Sequence, residues 1–259
     1  MGLRLKAADP AADIGLINGF TVRELTPEEV FCFSVVLCDN DVDRDLERFT
    51  DDCLKGLSTL FLGKTVLMDH WHSAEKQMAR LYALEVEDTD RKTALGTPLK
   101  ELRGKAYMLR TETNKDLIAA IEGGILKEVS VGCSVAKRAC SICGKRMCWS
   151  WDSGCLVCDD GHVQGMKYPE GTCVCELSEP VDAYELSFVA VPAQRNAGVR
   201  KAAGADVNKA VAVLLECGDL AGAARFPELV KAVRRAMLDE AEKAERAEIL
   251  RRNAAYLRG

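Results

Sequence analysis

The chain carries twelve cysteines in 259 residues, and seven of them fall between Cys140 and Cys175. Cys140-x-x-Cys143 and Cys155-x-x-Cys158 form two pairs separated by eleven residues. Thiolates paired in this way can converge on one tetrahedral zinc ion. Four protein ligands make such a site structural, because a catalytic zinc keeps one position open for water. Cys140, Cys143, Cys155, Cys158 and His162 are the candidate ligands, with Cys148, Cys173 and Cys175 competing for the same positions. In a reducing compartment, clustering of this kind favours metal over disulfides.

Just ahead of the first pair, "GGILKEVSVGCSV" (123–135) reads as a strand entered from a glycine pair. Alternation turns Val129, Val131, Cys133 and Val135 to one side and Ser130, Gly132 and Ser134 to the other. A serine on the outer face beside a glycine is open to a substrate backbone, but it becomes a nucleophile only with a base in hydrogen-bond reach. The three histidines are His70, His72 and His162. His162 lies in the cysteine region, which leaves His70 and His72 at the end of "KTVLMDHWH" (64–72). Glu185, which shares a face with Ser187 in "AYELSFV", is the candidate for orienting that base. Cys133 is a rival nucleophile, but alternation turns it toward the core, where a thiol is inert.

Several elements must position these groups. Strands are expected over 30–38, 64–72, 80–88, 104–111 and 183–193, besides the one that carries Ser130. Thr50 caps a helix over "DDCLKGLSTLF", in which Leu54, Leu57 and Phe61 recur at helical spacing, and Gly63 ends it. A second helix, "KDLIAAIE", opens at Asn114 and closes at Gly123-Gly124. The acidic loop 39–47 has Arg44 and Thr50 where a calcium loop requires Gly and Glu, so it is read as solvated. Residues 1–29 form a lead-in, and 137–178 a turn-rich insertion that metal rather than packing would fold. From 205 to 259 the composition shifts to Ala, Glu, Lys and Arg, with Pro227 in the first turn of a long helix.

Bulk properties narrow the partners. At 48% hydrophobic the chain can bury a core, and its net charge of −5 gives no reason to bind nucleic acid. No run of 18 apolar residues exists, and "MGLRLKAADPAADIGLINGF" lacks the apolar centre of a secretory signal. A soluble intracellular protein without membrane or nucleic-acid partners is the expectation.

Four blocks in order, "DRDLERF" (43–49), "LFLGKTVLMDH" (60–70), "IEGGILKEVSVGCSV" (121–135) and "YELSFVAVPAQRNAGV" (184–199), resemble the prohead (capsid maturation) proteases of tailed bacteriophages. These are serine proteases that share a barrel fold with the herpesvirus assemblins. The resemblance spans roughly residues 30–200, and some of these relatives also carry a "CSICG" insertion. It implies an α+β fold: an antiparallel β-barrel of herpesvirus-protease type (30–136 and 179–200) flanked by helices, with a small zinc-binding insertion and a C-terminal helical arm.

Carried over by position, the family's base falls on His70 and its nucleophile on Ser130. Assemblins use a second histidine as third member, but here no histidine follows Ser130 except His162, which leaves Ser-His-Glu with Glu185 or a dyad. The implied substrates are the scaffolding segment of the major capsid protein and the protease itself, with self-association inside the assembling prohead in the host cytoplasm. The alternative from a different class is a catalytically inactive, zinc-stabilised scaffolding protein of the prohead.

Overall fold

The structure is a computed structural model and describes residues 7–200. In chain order the elements are α1 (Pro10–Asn18), β1 (Val30–Asp39), β2 (Glu47–Phe49), α2 (Asp51–Leu60), β3 (Thr65–Met68), β4 (Ala79–Lys92), β5 (Pro98–Leu109) and α3 (Lys115–Glu122). They continue with β6 (Val129–Cys140), β7 (Met147–Ser150), β8 (Cys155–Cys158), β9 (Lys167–Tyr168), β10 (Gly171–Thr172), β11 (Cys175–Phe188) and β12 (Gly198–Arg200). None of the described helices is long and apolar enough to cross a membrane. The helix expected from Pro227 lies outside the described residues.

Eight strands form one sheet in the order β12-β1-β5-β4-β3-β11-β2, with β6 attached to β11. The expected antiparallel barrel is corrected in two respects. The sheet is mixed, because β11 runs parallel to β2 and to β3. It is also not closed. Just before β6 an isolated bridge joins Glu128 to Gly198 of β12, where Val199 N–H donates to Lys127 O at 2.7 Å. Among the described residues, β6 has no second partner strand beyond this bridge and one from Ala139 to Arg146.

The apolar pattern explains the core. β1 alternates Phe31, Phe33, Val35 and Leu37 inward, where they meet Leu81, Leu102, Leu186 and Phe188. Thr50 Oγ1 accepts from Cys53 N–H at 3.2 Å and starts α2, whose Leu54 and Leu57, with Phe61 just after its end, are fully buried. Each such side chain contributes roughly 1.5–3 kcal/mol by leaving water.

The lead-in contains α1. This helix has almost no apolar stripe; it buries Ile17 and Asp13. Asp13 is held by Lys105 Nζ at 2.9 Å and Tyr82 OH at 2.8 Å, both inside the protein. Asp13→Ala would leave the Lys105 ammonium buried without its counter-ion. We expect a loss of about 3–5 kcal/mol in denaturant unfolding, much of it recovered when Lys105→Met is added. An Asp13→Ala protein as stable as the wild type would contradict this anchoring.

Candidate active site and metal knuckle

β11 organises the first site through its two edges. On one side its residues 185–188 run parallel to β3, with Phe188 opposite Met68, which delivers the chain directly into Asp69 and His70. Both have left-handed backbone, φ +51° and +55°, at a cost of about 1–2 kcal/mol each. The turn is held by Asp69 N–H donating to Phe188 O at 2.9 Å and His70 N–H donating to Ser187 Oγ at 3.1 Å. Backbone strain that is over-determined in this way is a frequent companion of functional sites. It also explains why the strand expected over 64–72 stops at Met68.

The His70 ring lies with Nδ1 2.8 Å from Glu185 Oε1. Glu185 is 1% exposed, while the His70 side chain is 41% exposed, so a buried carboxylate orients an accessible imidazole. With the carboxylate accepting from Nδ1–H, Nε2 is left free to take a proton. Ser187, also buried, donates its hydroxyl to Glu185 Oε2. Both carboxylate oxygens are thereby occupied, and the same hydroxyl ties down the His70 backbone. Alternation alone puts Ser187 on the face of Glu185; its role as the brace that joins base and carboxylate comes from the β3–β11 pairing.

On the other edge of β11, β6 runs antiparallel with Ser130 opposite Ser187 and Gly132 opposite Glu185. Opposite residues in such a pair share a face, with Cβ atoms about 4.5–5.5 Å apart. Ser130, Ser187, Glu185 and His70 therefore belong to one locality built from β3, β6 and β11. Gly132 is required there, because a Cβ at this position would lie 2.3 Å from Glu185 Oε1.

Ser130 is half-buried and lines a cavity of about 350 Å³ with Phe49, Leu177, Arg138 and the acids Asp43, Asp45 and Glu47. Burial pushes Asp43 up to about 6, against the N–H groups of Glu47 and Asp45 that donate to it. Cys133 packs against the core as alternation requires, and burial pushes its thiol up to about 11. His72 is exposed in the segment that follows the turn.

At the far end of the β6–β11 ladder the chain leaves at Cys140 and returns at Cys175, whose positions are paired. Between them Cys140, Cys143, Cys158 and His162 gather their ligand atoms within 4.8 Å of one another, a group able to hold a metal ion. Cys143 Sγ to Cys158 Sγ is 3.5 Å, Cys158 Sγ to His162 Nδ1 3.5 Å and Cys140 Sγ to His162 Nδ1 3.7 Å. A tetrahedron with metal–sulfur bonds of about 2.3 Å has edges of about 3.8 Å, so these separations suit a single small ion.

Two matching turns create the site. Gly144 N–H donates to Cys140 O and Gly161 N–H to Cys158 O, each at 2.8 Å, and both glycines have positive φ. Cys140 N–H reaches Lys145 O at 2.8 Å, as Cys158 N–H reaches His162 O at 3.0 Å. The second turn is thus Cys158-x-x-x-His162, and the expected pairing of Cys155 with Cys158 is corrected. Both are in β8, where an odd separation turns them to opposite faces. Cys155 Sγ instead lies 3.2 Å from Ser153 Oγ.

Tyr168 stands edge-on to the His162 ring at 4.6 Å and fixes its plane. Cys173 is buried with Sγ 3.5 Å from Cys140 Sγ but stays outside the group of four. Cys148 is exposed on β7, and Cys175 faces the core, where burial pushes it up to about 12.

No protein-family model matches the chain, and no curated protein matches it in sequence.

Proposed function

We propose that the chain is a serine endopeptidase of the prohead-maturation type, on a fold of herpesvirus-protease kind with an open sheet, braced by a structural zinc ion. The single observation that carries this reading is the buried Glu185 held 2.8 Å from His70 Nδ1, on the face of the sheet that bears Ser130. A buried carboxylate, an accessible imidazole and a neighbouring hydroxyl are the three roles of a serine hydrolase triad. Of the alternatives open for the third member, this contact favours Glu185.

In the proposed reaction His70 Nε2 removes the proton from Ser130 Oγ as the oxygen attacks a peptide carbonyl, then passes it to the leaving amine. Glu185 holds the ring in the required tautomer and stabilises its protonated form. The tetrahedral oxyanion needs N–H donors. Val189 N–H donates to Glu128 O at 3.1 Å, which sets the phase of the ladder and turns Val131 N–H toward the free edge of β6. That amide is the donor we assign to the oxyanion. Water then hydrolyses the acyl-enzyme on Ser130 by the same route.

Zinc is assigned to Cys140, Cys143, Cys158 and His162 because three thiols and an imidazole are borderline-soft donors that suit it. With four protein ligands it has no open position and serves the fold alone. The substrates implied by the resemblance are the scaffolding segment of the major capsid protein and the chain itself. Co-expression with the capsid precursor of the same virus, read by intact mass, tests this. Trimming of the precursor or of the chain's own termini supports the proposal; full-length masses for both overturn it.

Gly132→Ala gives a second test of the geometry. Its methyl group would displace the Glu185 carboxylate from His70, and we expect cleavage to fall by about two to four orders of magnitude in a protein destabilised by about 1–3 kcal/mol but still folded. Undiminished cleavage would mean that the His70–Glu185 contact does not support the reaction.

A further inference from the structure

Along β6 the surface changes sign. The Ser130 cavity is lined by Asp43, Asp45 and Glu47, with Arg138 at its far side. Arg138 and Val135 also line a second, open groove of about 530 Å³ between β6 and β7, whose other walls include Lys137, Arg146, Met147, Trp149 and Leu156. Among the described residues, no acidic side chain lines this groove. Lys137 and Arg146 are exposed and, among the described residues, take part in no ion pair. Beside them Trp149 is 55% exposed and its edge-to-face partner Trp151 90%, with ring centroids 6.4 Å apart. Exposed tryptophans next to unpaired cations are costly to leave bare and are typical anchors of binding surfaces.

We propose that the metal knuckle is a second recognition site for the polypeptide cleaved at Ser130, and that its groove takes an acidic segment of that substrate. The inference rests on the peptidase reading given above. The two depressions share lining residues, so a chain seated at Ser130 and extended along β6 enters the groove without leaving the surface. From Ser130 to Lys137 is about 23 Å of strand, which places the acidic segment about seven residues from the scissile bond. Among the described residues, the outer edge of β6 carries unpaired backbone groups along part of this path, suited to an extended peptide. A nucleic acid strand is disfavoured by the same continuity, because its phosphates would have to pass Asp43, Asp45 and Glu47.

The test uses the full chain carrying Ser130→Ala, which holds a substrate without cutting it, and two fluorescein-labelled peptides of equal length. One contains four consecutive glutamates and the other four glutamines. Fluorescence anisotropy is expected to show the glutamate peptide bound at least about tenfold tighter, with the difference abolished by Lys137→Glu together with Arg146→Glu and reduced by salt. Metal content and far-UV circular dichroism verify that the variants fold.

Equal binding of the two peptides, or a preference that survives charge reversal, overturns the proposal. So does tighter binding of an oligo-dT of the same charge, which would make the groove a nucleic-acid surface. The readout is independent of the chemistry at Ser130. Cleavage by the wild type without charge-dependent binding overturns the groove and leaves the peptidase standing, and charge-dependent binding without any cleavage does the reverse.

Discussion

Ser130→Ala is expected to lower proteolysis by roughly four to six orders of magnitude while leaving the fold and the metal content as they are. The size follows from the part the hydroxyl plays. Without it there is no acyl-enzyme, and what survives is only the help that bound amides and neighbouring groups give to direct attack by water. The fold should tolerate the change, since Ser130 is half-buried and the β6–β11 ladder is a backbone structure. The measurement is kcat on a cleavable polypeptide, with melting temperature and metal stoichiometry as controls. If activity persists in Ser130→Ala and disappears in Cys133→Ala, the nucleophile is the thiol. Cys133 lines the same cavity as Ser130, but its burial pushes the thiol up to about 11 and disfavours the thiolate.

Metal removal is the second large effect. Residues 141–174 contain short two- and four-residue strands and few buried apolar side chains outside the cysteines, chiefly Met147, Leu156 and Val174. Such a segment cannot offset its own ordering entropy, and structural zinc sites of comparable type supply about 10–16 kcal/mol of apparent binding energy at neutral pH. We expect one zinc per chain by elemental analysis. Chelation, or Cys140→Ser, should open 141–174 to limited proteolysis while the main sheet remains protected in hydrogen exchange. Because thiol ligands must lose their protons, metal affinity should fall as pH falls. By contrast, Cys155→Ser should keep its zinc. Loss of zinc in Cys155→Ser with retention in His162→Ala would contradict the assignment.

Local patterns made much of this structure legible in advance. β-branched and aromatic composition marks β1, alternation marks β4, and Thr50 with the spacing of Leu54, Leu57 and Phe61 marks α2. What escaped depended on contacts distant in sequence. α1 is anchored by a charge pair between residues 13 and 105 rather than by an apolar stripe. The early part of β11 was obscured by Glu179, with φ +58°, and by Pro180, which interrupt the alternation although the strand continues on both sides.

The candidate site was legible to a similar degree. Strand faces point to Ser130 and Glu185, and the resemblance to Ser130 and His70, yet their juxtaposition depends on β11 lying between β3 and β6, which no local signal encodes. The two CxxC pairs look equivalent in sequence. In three dimensions only the first is a turn, because the second is drawn into a hairpin with β7 and its turn comes after Cys158. "CDDGH" (158–162), with its glycine one residue before the histidine, was the signal that could have revealed this.

The most direct test of the central claim is covalent labelling with a fluorophosphonate, which reacts with a serine hydroxyl only when a neighbouring base activates it. The account predicts a single adduct by intact mass, mapped to Ser130 by peptide sequencing, and none in His70→Ala. A folded, metal-loaded chain that takes no label, or takes it at a serine other than Ser130, would contradict it.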